Sequence, residues 1–241
     1  MPDSPDYEKY RPGSVRFSLQ DMGELAARLG SISIYDRRGE IVWYDNFSHG
    51  LAVYNTSTSG TGAGVSLTAG YSHRYPYSAL LITGSTLSLS ATIEKYLGTF
   101  GSARFGVEFG VAFANRNDYL QVTFQANQGD DNYLGSLRIF PDTGIAQIRN
   151  GLGSFVQASI VNVPISSPPS FLSVKLVCDF ATNKYVRLLV SHVEIDLTTY
   201  DLYNDGDTGA GEVAFQIMGV GDSGFNSNYH LSYIIVTANE P

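Results

Sequence analysis

The sequence predicts an all-β domain of two antiparallel sheets packed face to face, carried behind a short, charged segment of different character. Three observations lead there. From Trp43 onward apolar and polar residues alternate, most plainly at Val107, Phe109, Val111 and Phe113 and again at Phe215 and Ile217. That is the period of strands with one face buried. Clusters of Asn, Asp, Gly and Thr interrupt the alternation at 115–118, 127–131, 141–144 and 181–184, where the backbone is chemically disposed to turn. Finally, 14 of the first 45 positions are charged, against 24 of the remaining 196.

Residues 1–13, MPDSPDYEKYRPG, combine three prolines with charges and no aliphatic cluster. They cannot build a core, so they are expected to form an extended arm that gains order only against another surface. A neighbouring subunit is the expected surface, with Tyr7, Tyr10 and Arg11 as contacts. Ser18-Leu19-Gln20-Asp21 has capping-box spacing with Asp in place of the usual Glu. Leu19, Met22, Leu25, Ala26 and Leu29 then recur at helical period up to Gly30, predicting one short helix that needs its apolar stripe docked. Residues 31–35 and 40–44 flank Asp36-Arg37-Arg38-Gly39, which predicts a β-hairpin with Arg37 and Arg38 at its tip, available to an acidic partner.

Strands are expected at 64–69, 78–82, 86–96, 104–114, 119–126, 133–140, 145–149, 155–160, 171–180, 185–190, 192–197, 212–220 and 230–237. A third alternating set, Leu231, Tyr233 and Ile235, is less regular. About a dozen strands with almost no helix have the size of one jelly-roll sandwich. The organisation predicted is therefore an assembly segment, 1–42, and a single jelly-roll domain, 43–241.

Composition excludes several classes. Fifteen Lys and Arg against 23 Asp and Glu leave a net charge of -8, which argues against a nucleic-acid partner held by phosphate neutralisation. One cysteine, Cys178, permits neither an intrachain disulfide nor a thiolate-rich zinc site. No apolar run has transmembrane length and no signal-peptide pattern opens the chain, so no membrane partner is expected.

Motifs for catalysis are weak. Gly221-Asp222-Ser223-Gly224 is followed by Phe225 and has no matching histidine segment, so it reads as a turn rather than a serine-protease nucleophile. Gly60-Thr61-Gly62-Ala63-Gly64 lacks the Lys-Ser or Lys-Thr ending of a phosphate loop. The four histidines have no short ligand spacing. No catalytic residue is assigned, and the chain is expected not to be an enzyme. Tyr71, Tyr75 and Tyr77, with Arg74 among them, offer rings and a hydrogen-bonding group to a glycan. Asp205 and Asp207 in a polar loop offer hard oxygen ligands to calcium, the one metal considered; no other cofactor is expected.

Five segments, SLQDMGELAARLGSISIYDRRGEIVWYDNF, STSGTGAGVSLTAG, VKLVCDFATNKYVRLLV, VEIDLTTYDL and LSYIIVTANE, together resemble concanavalin-A-like and carbohydrate-binding-module-like jelly rolls. More narrowly, the chain resembles jelly-roll proteins encoded among bacteriophage virion genes. That resemblance implies a non-enzymatic virion component, a capsid decoration or tail accessory protein made in the host cytoplasm. Its partners would be copies of itself, as in a trimer, and other virion proteins. The alternative it implies is a lectin-like carbohydrate-binding module, and less so a glycoside hydrolase. Laminarinase-like jelly rolls carry Glu-x-Asp-x-x-Glu on one strand; Glu194 and Asp196 match, but Thr199 stands at the third carboxylate.

Overall fold

Sixteen strands and no helix make up the regular structure among the described residues. In chain order they are β1 (Glu40–Asp45), β2 (Asn55–Thr58), β3 (Gly64–Thr68), β4 (Ser78–Ile82), β5 (Ser90–Gly98), β6 (Arg104–Phe113), β7 (Tyr119–Gln128) and β8 (Asp131–Ile139). Then follow β9 (Ile145–Arg149), β10 (Phe155–Ile160), β11 (Phe171–Asp179), β12 (Lys184–Val190), β13 (Val193–Asp196), β14 (Tyr203–Asn204), β15 (Val213–Val220) and β16 (Asn228–Ala238). The computed structural model describes residue 36 and residues 38–72, 76–99, 103–114, 118–128, 131–164, 170–206, 212–222 and 224–241. The expected arm, helix and first hairpin strand lie outside these residues, as do Tyr7, Tyr10, Arg11 and Arg37.

Two eight-stranded sheets result. The first runs β13-β12-β11-β6-β16-β4-β3, with β1 also on β16; the second runs β10-β9-β8-β7-β15-β5-β2, with β14 on β8. Every pairing between described strands is antiparallel. The strand β1 pairs with the far end of the chain, Glu40 opposite Ala238. The unit it belongs to begins at Arg38.

The alternation read from the sequence supplies the core. Phe105, Val107, Phe109, Val111 and Phe113 of β6 face Leu120, Val122 and Phe124 of β7 and Phe215 and Ile217 of β15 in one buried apolar cluster. One expectation is corrected. Leu231, Tyr233 and Ile235 do not share a face, because the register of β16 against β6 shifts between Leu231 and Tyr233. The bulge sends Ile234 and Val236 into the core beside Leu231. Tyr233 turns to the other face, where its hydroxyl meets Glu108 Oε1 at 3.3 Å and Ser173 Oγ at 3.0 Å.

That outer face also holds a buried ion cluster. Lys175 Nζ lies 2.7 Å from Glu240 Oε1, and Arg187 Nη2 donates to Glu240 Oε2. Arg187 Nη1 donates to the Pro241 carbonyl at 2.6 Å. The last residues of the chain are thereby fastened across β11 and β12.

Candidate functional site

The β9–β10 turn, the β11–β12 turn and the β13–β14 loop meet at one end of the sandwich. Between them opens a cleft of about 540 Å³, lined by Tyr133, Asn150, Leu152, Asn183, Tyr200 and Asp201 among others. This volume lies within the range of small-molecule sites.

Each wall is held by backbone geometry. Asn150 Oδ1 accepts from the N–H groups of Leu152 (3.1 Å) and Ser154 (3.0 Å), fixing a turn whose tip, Leu152, is 89% exposed. Asn183 occupies the left-handed region, φ 57°, which asparagine tolerates better than most residues. Its carbonyl accepts from Leu202 N–H at 2.9 Å, and its side-chain Oδ1 is buried without a hydrogen bond. Lys184 Nζ holds Asp201 Oδ1 at 2.7 Å while both remain largely exposed. Below the cleft, the Tyr185 hydroxyl accepts from Ser136 N–H at 2.8 Å and donates to the Arg149 carbonyl at 2.7 Å, tying the two sheets together. Burial pushes that phenol well above its ordinary range, so it stays neutral.

Chemically the cleft offers two tyrosine rings, an exposed aliphatic rim and a set of amide, hydroxyl and carboxylate groups. Rings receive the apolar face of a sugar, and planar polar groups take its hydroxyls.

Of the residues singled out from the sequence, those described lie elsewhere. Tyr71 and Tyr77, each 40% exposed, sit in the β3–β4 connection of the first sheet and do not line the cleft. The edge of Tyr71 meets His230 at 5.0 Å between ring centres, and burial holds that imidazole below its ordinary value. Arg74 and Tyr75 lie outside the described residues. Arg38 forms a two-pronged bond to Glu194 of its own chain, at 3.2 and 2.8 Å. Glu194 is thus drawn into an ion pair, and Asp196 Oδ1 accepts from the Thr198 N–H at 2.9 Å.

The calcium expectation rests on Asp205 and Asp207. Asp205 Oδ2 accepts from Asn132 Nδ2 at 3.0 Å, and no group of three or more His, Cys, Asp or Glu converges among the described residues. Asp207 lies outside them. Cys178 is buried, and burial pushes its thiol well up, so it is no ligand or nucleophile at neutral pH.

What sequence reasoning missed is the meeting of loops. The turn at 181–184 was legible from its Asn and Thr, but nothing local indicates that Asn183 faces Asn150 and Tyr200.

No family model and no curated protein matches the chain. Solved structures do. A sialidase superposes with a TM-score of 0.54 at 14% identity, over 84% of this chain and 19% of its own. A conserved carbohydrate esterase from the Shiga toxin-encoding bacteriophage phi24B gives 0.51 at 12% identity, over 84% of this chain and 100% of its own. Peanut lectin gives 0.50 at 12% identity, over 82% and 96%. The chain shares a two-sheet jelly-roll fold with these structures.

The chain spans about a fifth of the sialidase's length. At these identities the likeness is one of fold, and a jelly roll places chemistry in its loops and on its sheet faces. The expectation that the chain is not an enzyme is overturned here. This same jelly roll occurs in a sialidase and a carbohydrate esterase as well as in a lectin. A missing sequence signature therefore excludes no activity, since carboxylates distant in sequence can meet on this scaffold.

Proposed function

We propose that this jelly roll is a carbohydrate-recognition domain whose ligand enters the cleft between Leu152, Tyr133, Tyr200 and Asp201. The observation that carries the reading is the cleft itself, with two tyrosines and amide, hydroxyl and carboxylate groups converging from three loops and the strands beside them. Its test uses positions whose replacement spares the fold. Asp201→Ala removes an exposed carboxylate, and a charge-assisted hydrogen bond to a sugar hydroxyl contributes about 1.5–3 kcal/mol. Affinity for a glycan found by array screening should fall about 10- to 100-fold in calorimetry. Leu152→Asp, at the exposed tip, should weaken the same ligand with an unchanged melting temperature. Failure to bind any member of a diverse glycan array would end this reading.

A second reading rests on a carboxylate pair at the other end of the second sheet's central strands, β7 and β15. Tyr119 pairs with Val220, which brings Asp118 and Asp222 to neighbouring strand ends. Burial raises Asp118 above the ordinary carboxylate value and the Asp222 charge adds to it, while Arg138 opposes the shift. Two carboxyl groups at neighbouring strand ends, one of them raised by burial, suit acid–base cleavage of a glycosidic bond. If this pair acts, reducing ends released from a polysaccharide panel should fall at least 100-fold in Asp118→Asn. Equal release by the wild-type chain and the variant would remove the pair from consideration.

A further inference from the structure

The outer face of the second sheet, away from the cleft's opening, carries an arrangement with no structural task assigned so far. Strand register lines up Gln121 of β7 with Arg138 of β8, Arg138 with Gln147 of β9, and Gln147 with Gln157 of β10. A transverse row of three amides and one guanidinium results. Core contacts of Leu137, Ile139, Ala146 and Ile148 fix the alternation, so Arg138, Gln147 and Arg149 all point outward.

Both arginines are held in place by contacts that leave their tips free. Arg138 Nε donates to Gln121 Oε1 at 2.8 Å, and its guanidinium lies 3.5 Å from the Phe155 ring centre and 4.4 Å from that of Tyr119. Arg149 Nε donates to the Gly153 carbonyl at 3.1 Å, and its guanidinium sits 3.8 Å from the Tyr203 ring centre. Among the described residues the Nη groups of neither arginine make a hydrogen bond or ion pair, and both side chains are part-exposed. The charge of Asp118 acts on Arg138, without a salt bridge between the two. In a chain with 23 carboxylates against 15 Lys and Arg, two oriented guanidinia without a salt-bridged carboxylate among the described residues are unexpected.

We propose that this face binds the carboxylate of an acidic sugar, with Arg138 and Arg149 as paired anchors. A guanidinium whose rotation is already frozen loses little entropy on forming a two-pronged bond to a planar carboxylate. Phe155 and Tyr203 stand beside the anchors to receive sugar C–H groups, and Gln121, Gln147 and Gln157 supply amides for hydroxyls. This amide row and the aromatic plates favour a glycan over an acidic peptide. The net negative charge of the chain opposes unspecific capture of polyanions, so recognition must be local. The proposal rests on the carbohydrate reading for the class of ligand, but not for its position. The turn from Asn150 to Gly153 joins the two places, lining the cleft on one side and holding Arg149 on the other.

The test titrates the full chain calorimetrically with oligogalacturonate, oligoglucuronate and sialyllactose, each against its uncharged counterpart (methyl esters and lactose). At least one acid should bind about tenfold or more tightly than its counterpart, with the preference shrinking as salt rises. Arg138→Gln with Arg149→Gln should erase the preference. Arg138→Lys with Arg149→Lys, which keeps charge but not the planar fork, should retain only part of it. No preference for any acid, or a preference intact in the double Gln variant, overturns the proposal. So does equal binding of poly-glutamate or dextran sulfate. Asp201→Ala separates the two readings. Acid preference with no dependence on Asp201 keeps this site and sinks the cleft, while dependence on Asp201 without acid preference does the reverse.

Discussion

Glu240→Ala should lower the free energy of unfolding by about 3–5 kcal/mol, the usual consequence of leaving a buried ion without its counter-charge. The side chains of Glu240 and Lys175 are fully buried and that of Arg187 is 6% exposed. One carboxylate thus serves two buried cations. Lys175 Nζ keeps a bond to the Arg38 carbonyl at 3.1 Å, and Thr237 loses its acceptor Glu240 Oε1. Both cations would then lose, in a low-dielectric setting, the carboxylate they share. Denaturant unfolding followed by the fluorescence of Trp43, the single tryptophan, which packs on Tyr54 and Phe215, reads the change directly. Two contrasts guard the interpretation. Arg38→Ala breaks an equally well-formed but exposed pair and should cost less than about 1 kcal/mol. Replacing Glu240, Lys175 and Arg187 together by Leu, Met and Leu should recover part of the loss, because the charges that meet at Glu240 are then removed together. A loss below about 1 kcal/mol for Glu240→Ala would show that the cluster is not desolvated as described.

Gly144→Ala should destabilise by about 2–4 kcal/mol, combining left-handed backbone strain with a steric clash. Gly144 has φ 68°, and a Cβ there would stand 2.2 Å from the Val161 carbonyl oxygen. That oxygen belongs to backbone, so it cannot rotate aside. The residue also closes the β8–β9 turn, its N–H donating to the Phe140 carbonyl at 2.8 Å and its carbonyl accepting from Val161 N–H at 2.7 Å. The same turn sets β8 against β9 and therefore Arg138 against Arg149. Acid-selective glycan binding should weaken along with stability. Gly98→Asn is the control: φ is 86°, but nothing lies within 4 Å of the added Cβ. Its cost should stay near 1 kcal/mol, the price of the backbone conformation alone. Equal midpoints for the two variants in thermal unfolding would refute the steric argument.

Much of the fold was legible because its cause is local. Alternation at 107–113 needs only the two-residue period of a strand and one buried side, and each of those residues is in the core. Three departures have equally physical reasons. The strand expected from residue 86 begins at Ser90, because Ser88 takes φ 65° and its N–H bonds to Gly221. The strand Asn55–Thr58 carries no apolar residue and is exposed throughout, so it had no signal to give. The bulge in β16 reverses the faces of Tyr233 and Ile235, and a one-residue insertion leaves no mark in the pattern of apolar residues.

The candidate sites divide along the same line. That Arg138, Gln147 and Arg149 face outward follows from alternation. That they stand beside Gln121, Phe155 and Tyr203 follows only from register between strands. Tyr71 and Tyr77 attracted attention because they are neighbours in sequence, whereas the cleft gathers residues from 133 to 204 through three loops.

By itself the sequence determined that this chain builds an antiparallel sandwich, which residues fill it, and that its charge is concentrated near the start. Those properties depend on side-chain period and composition, which act within a few residues. Only the tertiary structure decided that β1 closes on β16, that Glu240 neutralises Lys175 and Arg187, and which loops enclose a cleft. Those depend on long-range register and loop meeting, where the energy lies in contacts between residues that no local pattern links.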